Sequence, residues 1–82
     1  MGTAVIDLHN ETRESGKRRL TEKLKTLPKG TDELVVIHVY HSGTVLRDMV
    51  RSFKHPKVER KILGMNQGET IFLIKNKYLF GG

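Results

Sequence analysis

The apolar positions near the start of the chain fall into two short runs that each end at a histidine. The runs are Val5 to His9 and Leu34 to His38, and a stretch with helical periodicity follows each of them. This alternation predicts two consecutive β-α units in one sheet. As parallel neighbours, the runs bring their carboxyl ends to the same edge, where open α/β sheets usually place ligand sites. We therefore expect Asp7, His9 and His38 to meet there.

Each helical stretch has one apolar stripe. In the first, residues spaced by four, four and three positions form it, namely Gly16, Leu20, Leu24 and Leu27. In the second it consists of Leu46, Met49, Val50 and Phe53. Thr12 is the predicted N-cap of the first helix. His55-Pro56 ends the second, because the residue before a proline is pushed out of the helical region.

The remainder of the chain predicts two more strands. Val58 to Leu63 alternates charged and apolar residues and reads as a partly exposed strand, whereas Thr70 to Ile74 predicts a more buried strand that returns antiparallel. The expected fold class is α/β, an α+β two-layer sandwich of order β-α-β-α-β-β, with two helices on one face of a four-stranded mixed sheet. One domain is expected over 1–82, with a core at 4–75 and a tail at 76–82.

The net charge of the chain indicates a class of binding partner. Fifteen Lys and Arg residues outweigh nine Asp and Glu, which gives a net charge of +6. A field of this sign attracts polyanions, most commonly nucleic acid, although a solvated basic surface has the same composition. The chain has no cysteine, which excludes a thiolate nucleophile and fits a reducing cytoplasm. No apolar run is long enough to span a bilayer, so we expect a soluble cytoplasmic protein without a membrane partner.

Three residues at the strand ends are the candidate catalytic residues. Asp7 and His9 point to the same side of the first strand, so the carboxylate can orient the imidazole and fix its tautomer. We assign His9 as general base and His38 as partner acid or phosphate ligand in phosphodiester cleavage. RNA is favoured over DNA, because its 2′-hydroxyl is a nucleophile that needs only a base. The alternative is a strand that simply ends in polar turn residues.

The loop and helix after His38 supply candidate nucleic-acid contacts. Ser42 and Gly43 precede a helix N-terminus, where free backbone N–H groups and the helix dipole favour a phosphate; a simple N-cap is the other interpretation. The candidate nucleic-acid-binding residues are Tyr40, His41, Ser42, Gly43, Arg47 and Arg51.

No structural metal site is predicted from the sequence. Cysteine is absent, and the spacing of His38 and His41 matches no standard zinc set. A divalent cation, Mg²⁺ or Mn²⁺, held by Asp7 and a substrate phosphate stays open as a cofactor.

Five segments, by their order and spacing, resemble the Smr (small MutS-related) domain. They are IDLHNET at 6–12, VVIH at 35–38, SGTVLRDMV at 42–50, HPKV at 55–58 and GETIFLI at 68–74. The resemblance covers residues 5–75. It implies a fold similar to the C-terminal domain of translation initiation factor 3 and a domain that binds DNA or RNA. Several members of that family are endonucleases, and some of them cut messenger RNA on stalled ribosomes.

The site residues that the resemblance implies lie in two motifs. The family's Asp-Leu-His motif falls on Asp7, Leu8 and His9, and its His-Gly-x-Gly motif starts at His38. Val39 and His41 stand where the two glycines are expected, and a valine does not easily adopt the positive φ that glycine permits. The resemblance implies an Smr-like nucleic-acid-binding domain with endonuclease activity. The degenerate second motif keeps a non-catalytic module that binds nucleic acid or the ribosome as the alternative, and the oligomeric state stays open.

Overall fold

The structure is a computed structural model, and it describes residues 2–39, 44–64 and 68–75. Its elements are β1 (Gly2–Asp7), α1 (Arg13–Lys25), β2 (Thr31–Ile37), α2 (Val45–Ser52), β3 (Val58–Leu63) and β4 (Glu69–Ile74). The predicted order β-α-β-α-β-β is confirmed. The tail predicted at 76–82 lies outside the described residues.

The four strands form one mixed sheet in the order β1-β2-β4-β3. β1 and β2 are parallel, and β4 runs antiparallel to both β2 and β3. In the parallel pair, Asp7 lies beside Ile37. The carboxyl ends of β1 and β2 therefore share one edge, as the sequence predicts.

α1 begins and packs as its sequence pattern predicts. The Thr12 hydroxyl accepts a hydrogen bond from the Ser15 backbone N–H (3.1 Å), while the Thr12 backbone N–H donates to the Ser15 hydroxyl (2.9 Å), which completes a capping box. Gly16 is buried with Leu20 and Leu24. A Cβ on Gly16 would lie 3.2 Å from the Met49 methyl group, so the glycine permits the close approach of α1 and α2.

The hydrophobic core lies between the helices and one face of the sheet. It consists of Ile6, Leu8, Leu20, Leu24, Leu34, Val36, Leu46, Met49, Val50, Phe53 and Phe72. Within this set, Ile6 and Leu8 are two residues apart, as are Leu34 and Val36, because alternate side chains of a strand point to the same face. The two-layer arrangement is thereby confirmed.

β2 is longer than its aliphatic run predicts. It begins at Thr31, three residues before Leu34. Gly30 takes a positive φ of 86°, and the Thr31 hydroxyl donates to the Pro28 carbonyl (2.7 Å), so a tight turn leads directly into the strand. Because the residues after this turn are polar, the pattern of apolar positions does not show where the strand begins.

The other face of the sheet carries an aliphatic row across all four strands. Val5 pairs with Val35, Val35 with Ile71, and Ile71 with Ile62. Val5 and Ile62 are 52% and 42% exposed, so this face is partly open. The acidic residues on the same face, by alternation, are Asp7, Glu33 and Glu69.

Neither of the two helices within the described ranges has the length and apolar composition needed to cross a membrane.

Candidate functional site

Asp7 and His9 form a hydrogen-bonded pair at the carboxyl end of β1. The Asp7 Oδ1 atom accepts from the His9 backbone N–H at 3.0 Å and lies 2.7 Å from the His9 Nδ1 atom. The two side chains are 50% and 49% exposed. The intervening Leu8 is fully buried, so it fixes the strand end to the core while its neighbours face solvent.

Asn10 determines the tautomer of His9 in this arrangement. Its Nδ2 atom lies 2.9 Å from the His9 Nε2 atom. Because an amide nitrogen can only donate, Nε2 accepts this bond, and Nδ1 carries the ring proton and donates it to Asp7. The Nε2 atom is thus the acceptor nitrogen of the ring, and its lone pair faces the Asn10 amide.

The carboxylate of Asp7 is stabilised in its charged form. The hydrogen bond from the His9 backbone N–H, followed by the bond from the imidazole, holds the pKa of Asp7 below its ordinary value, and Arg19 contributes in the same direction. Asp7 is therefore ionised at neutral pH and keeps the imidazole in one orientation. This is the role that the sequence assigns to it.

Arg19 ties the end of β1 to α1. Its Nη1 atom donates to the Asp7 backbone carbonyl at 3.1 Å and to the Glu11 carboxylate at 3.0 Å. The sequence analysis did not predict this contact. The sequence feature that could have indicated it is the position of Arg19, beside Leu20 and three residues after Gly16, at the border of the buried stripe.

His38 lies on the opposite side of the sheet from Asp7. Its side chain is 1% exposed and shares a face with Leu34 and Val36, whereas Asp7 shares the open face with Val5. The His38 Nε2 atom lies 3.0 Å from the Thr70 hydroxyl, and its buried Nδ1 atom has no hydrogen-bond partner. The strand ends are adjacent as predicted, but the side chains of His9 and His38 point to different faces.

Burial keeps His38 neutral. It lowers the pKa of the imidazole, and the nearby charges of Arg51 and Arg47 lower it further, while Glu69 opposes them. In the unfolded chain, His38 binds a proton near its ordinary pKa of about 6.5.

We expect the domain to lose stability as the pH falls below about 6.5, because the unfolded chain then binds a proton that buried His38 does not. This contribution is fully present above pH 6.5 and is lost as the pH falls toward the lower pKa of the folded state. Its limiting slope is about 1.4 kcal/mol per pH unit. Urea unfolding between pH 5 and 7 measures it.

Two variants separate the histidines in that experiment. His38→Gln should flatten the slope, even though it lowers the free energy of unfolding at every pH. His55→Gln measures the contribution of the other described histidine whose pKa is lowered by burial. An unchanged slope in His38→Gln would contradict the assignment.

The residue after His38 adopts an unusual backbone conformation. Val39 has a φ of 28°, and it is the one non-glycine residue with a positive φ in the described part of the chain. The backbone N–H groups of His38 and Val39 both donate to the Gly68 carbonyl, at 2.7 and 3.1 Å. A Cβ on Gly68 would lie 3.2 Å from the Val39 Cα atom, so the chain passes too closely for a larger residue. The position that resembles a family glycine thus has glycine-like geometry while carrying a valine.

The predicted nucleic-acid contacts fall into two groups. Arg47 and Arg51 lie on α2, near enough to His38 to lower its pKa. Arg47 also approaches Asp48 at 3.5 Å. The other four residues, Tyr40, His41, Ser42 and Gly43, lie outside the described residues.

The donors for a metal ion are few at this edge. Among residues 2–39, 44–64 and 68–75, no group of three or more His, Asp or Glu side chains could hold one. Asp7 offers one carboxylate oxygen, because Oδ1 already accepts two bonds from His9. One oxygen is enough only for an ion that takes most of its ligands from water and substrate phosphate, as Mg²⁺ does.

No family model, curated protein or solved structure matches this chain.

Proposed function

We propose that this chain is a nucleic-acid-binding domain with endonuclease activity, that it acts on RNA in preference to DNA, and that His9 is its general base. The observation that carries the proposal is the exposed Asp7–His9 pair, in which a carboxylate orients an imidazole at the carboxyl edge of parallel strands. The resemblance of residues 5–75 to the Smr domain supports the same class of activity.

The proposed reaction uses the free nitrogen of His9. A ribose 2′-hydroxyl replaces the Asn10 amide at the Nε2 atom and gives its proton to the ring as the oxygen attacks phosphorus. The bond from phosphorus to the 5′ oxygen then breaks, and that oxygen takes up a proton from solvent water, while the His9 imidazolium returns its proton to solvent. Asp7 stabilises the imidazolium formed at His9, and the displaced Asn10 amide is left free to donate to the substrate.

His38 keeps its predicted role as the acid only in a conformation that exposes its ring. In the folded structure its Nε2 atom is hydrogen bonded to Thr70 beneath the helices. The geometry of Asp7 and His9 therefore supports the assignment of the base, and with His38 buried the leaving oxygen takes its proton from solvent water.

The test is incubation of the purified protein with end-labelled RNA and DNA, each single-stranded and duplex, at low salt. Parallel reactions contain Mg²⁺, Mn²⁺ or EDTA. We expect RNA products in which cleavage leaves a 2′,3′-cyclic phosphate, because that end forms only when the 2′ oxygen attacks. Intact nucleic acid under every condition would overturn the cleavage proposal, and cleavage of DNA alone would overturn the 2′-hydroxyl mechanism. Loss of cleavage in EDTA would identify a divalent cation as a cofactor.

A non-catalytic module that binds nucleic acid or the ribosome is the second candidate. The specific observation in its favour is Val39, a β-branched residue at a positive φ where the resemblance calls for glycine. A left-handed conformation costs an L-residue about 1–2 kcal/mol. Val39 is thereby a strained residue next to His38, and this module would retard RNA without cutting it.

Val39→Gly is expected to be neutral or to raise the free energy of unfolding by up to about 1 kcal/mol, because relief of the φ strain offsets the entropy of glycine. Val39→Ala is the matched control, since alanine keeps the Cβ and thus the strain. Urea unfolding should therefore rank Gly above Ala at this position. If the missing glycine limits cleavage, Val39→Gly alone will also cut RNA faster than the parent. A less stable Val39→Gly than Val39→Ala would show that the positive φ costs nothing.

A further inference from the structure

A groove runs along the free edge of β1, between this strand and α1. It has a volume of about 450 Å³ and is lined by Val5, Asp7, Arg18, Arg19 and Lys23, among others. This volume falls within the range of about 300–1,000 Å³ for sites that hold one small organic ligand. It suits a single nucleotide, whereas a duplex is far too large to enter. Asp7 lies in its wall, so the groove opens directly beside the Asp7–His9 pair.

The α1 wall of the groove has a net positive charge, because Arg18, Arg19 and Lys23 line it together with Glu22. Arg18 and Lys23 point into it, and within the described residues neither side chain forms an ion pair. Arg19 lies between them in sequence and donates to the Asp7 carbonyl, which joins this wall to the catalytic pair. Free guanidinium and ammonium groups beside a candidate cleavage site fit the phosphates of a nucleic-acid chain.

The β1 wall supplies a different kind of contact. Val5 is 52% exposed, so its side chain offers an apolar surface for a base or a ribose. β1 pairs with β2 alone among the described strands, and its other edge therefore presents unpaired backbone N–H and C=O groups toward the groove. Those groups can form hydrogen bonds with a base only if the base is unpaired.

The charge distribution decides from which side a polyanion reaches the catalytic pair. α1 carries six Lys and Arg residues and two Glu residues. The open face of the sheet instead presents three acidic residues, Asp7, Glu33 and Glu69, against one basic residue, Arg60, which pairs with Leu73. A nucleic-acid chain is thus attracted more strongly along α1 than toward the open face, so the groove is the favoured approach to His9.

From these four features we infer that the groove between β1 and α1 is a nucleotide subsite for single-stranded RNA. It holds the nucleotide next to the cleaved phosphate, with the flanking phosphates on Arg18 and Lys23 and the base against Val5. This inference rests on the proposed function, because it names the form of substrate that the same site takes.

The first experiment uses the absence of cysteine in the chain. Val5→Cys places one thiol in the groove, and Ile62→Cys places a matched thiol on the opposite edge of the same row. A single-stranded 12-nucleotide oligouridylate at saturation should slow alkylation of the thiol at position 5 by at least about 5-fold. Alkylation at position 62 should not change. A duplex RNA of equal length should protect neither.

The second experiment measures the phosphate contacts. Arg18→Gln with Lys23→Gln should reduce the slope of log affinity against log salt by about 1.4, because each phosphate contact to a single strand contributes about 0.7. Lys29→Gln with Lys54→Gln removes the same charge outside the groove and should lower the slope less. Thermal unfolding checks that all variants fold.

The outcomes separate the two proposals. If the parent binds no single-stranded nucleic acid, both the proposed function and the subsite are wrong. If the parent binds but both double variants have the same slope, or the two thiols are protected equally, the subsite alone is wrong. Protection by the duplex equal to that by the single strand would also overturn the assignment to unpaired RNA.

Discussion

Replacing His9 by alanine should lower the rate of RNA cleavage by about 10²–10⁴-fold, which is the usual contribution of a positioned general base. The side chain is half exposed, and its hydrogen bonds are with its immediate neighbours Asp7 and Asn10. Its removal therefore takes away the base without disturbing the core. Single-turnover cleavage at saturating protein measures the chemical step directly.

Two controls show whether the loss is chemical. His55→Gln removes a histidine between α2 and β3 and should leave the rate within a few fold. The affinity of His9→Ala for RNA should also stay within a few fold of the parent, because phosphate contacts, not the imidazole, dominate binding. Cleavage that survives in His9→Ala would mean that another group is the base. An equal loss of binding and cleavage would mean that His9 only holds the substrate.

The second large effect is expected at Leu8, between Asp7 and His9. Leu8→Ala should lower the free energy of unfolding by about 2–5 kcal/mol, because the leucine is fully buried and its truncation leaves a cavity. At about 0.05–0.15 kcal/mol per residue, an 82-residue domain has only about 4–12 kcal/mol of total stability. Urea unfolding at pH 7 measures the difference.

Val5→Ala is the matched control on the same strand. Its side chain is 52% exposed, so its loss should cost less than about 1 kcal/mol. Similar costs for the two variants would show that Leu8 does not fix β1 to the core. This prediction explains why the middle residue of an Asp-Leu-His motif is apolar: it anchors the strand from the face opposite to the carboxylate.

The fold follows from local signals that agree with one another. The stripe of Gly16, Leu20 and Leu24 predicts the buried face of α1, and Thr12 predicts its cap. Both are confirmed because hydrophobic spacing and capping depend on residues close in sequence. The start of β2 at Thr31 was missed, because the turn that sets it depends on the φ of Gly30.

The candidate site was only partly predictable. Asp7 and His9 are two residues apart on one strand, so their contact follows from alternation alone. The same alternation groups His38 with Leu34 and Val36, but the nearly continuous aliphatic run of β2 concealed which face was covered. The burial of His38 depends on Thr70 from a strand 32 residues later, and no local pattern contains that contact.

The position of β1 at the edge of the sheet affects the fraction of molecules that can bind a ligand at any moment. Edge strands with a single hydrogen-bonded neighbour open locally more readily than central strands do. Opening of β1 separates the end of the strand from Arg19 and from the wall of the groove while β2, β3 and β4 stay paired. A ligand that bridges β1 and α1 binds only the closed form, so its apparent dissociation constant is the intrinsic one divided by the closed fraction. The affinity of such a ligand is thereby coupled to the closing of one strand.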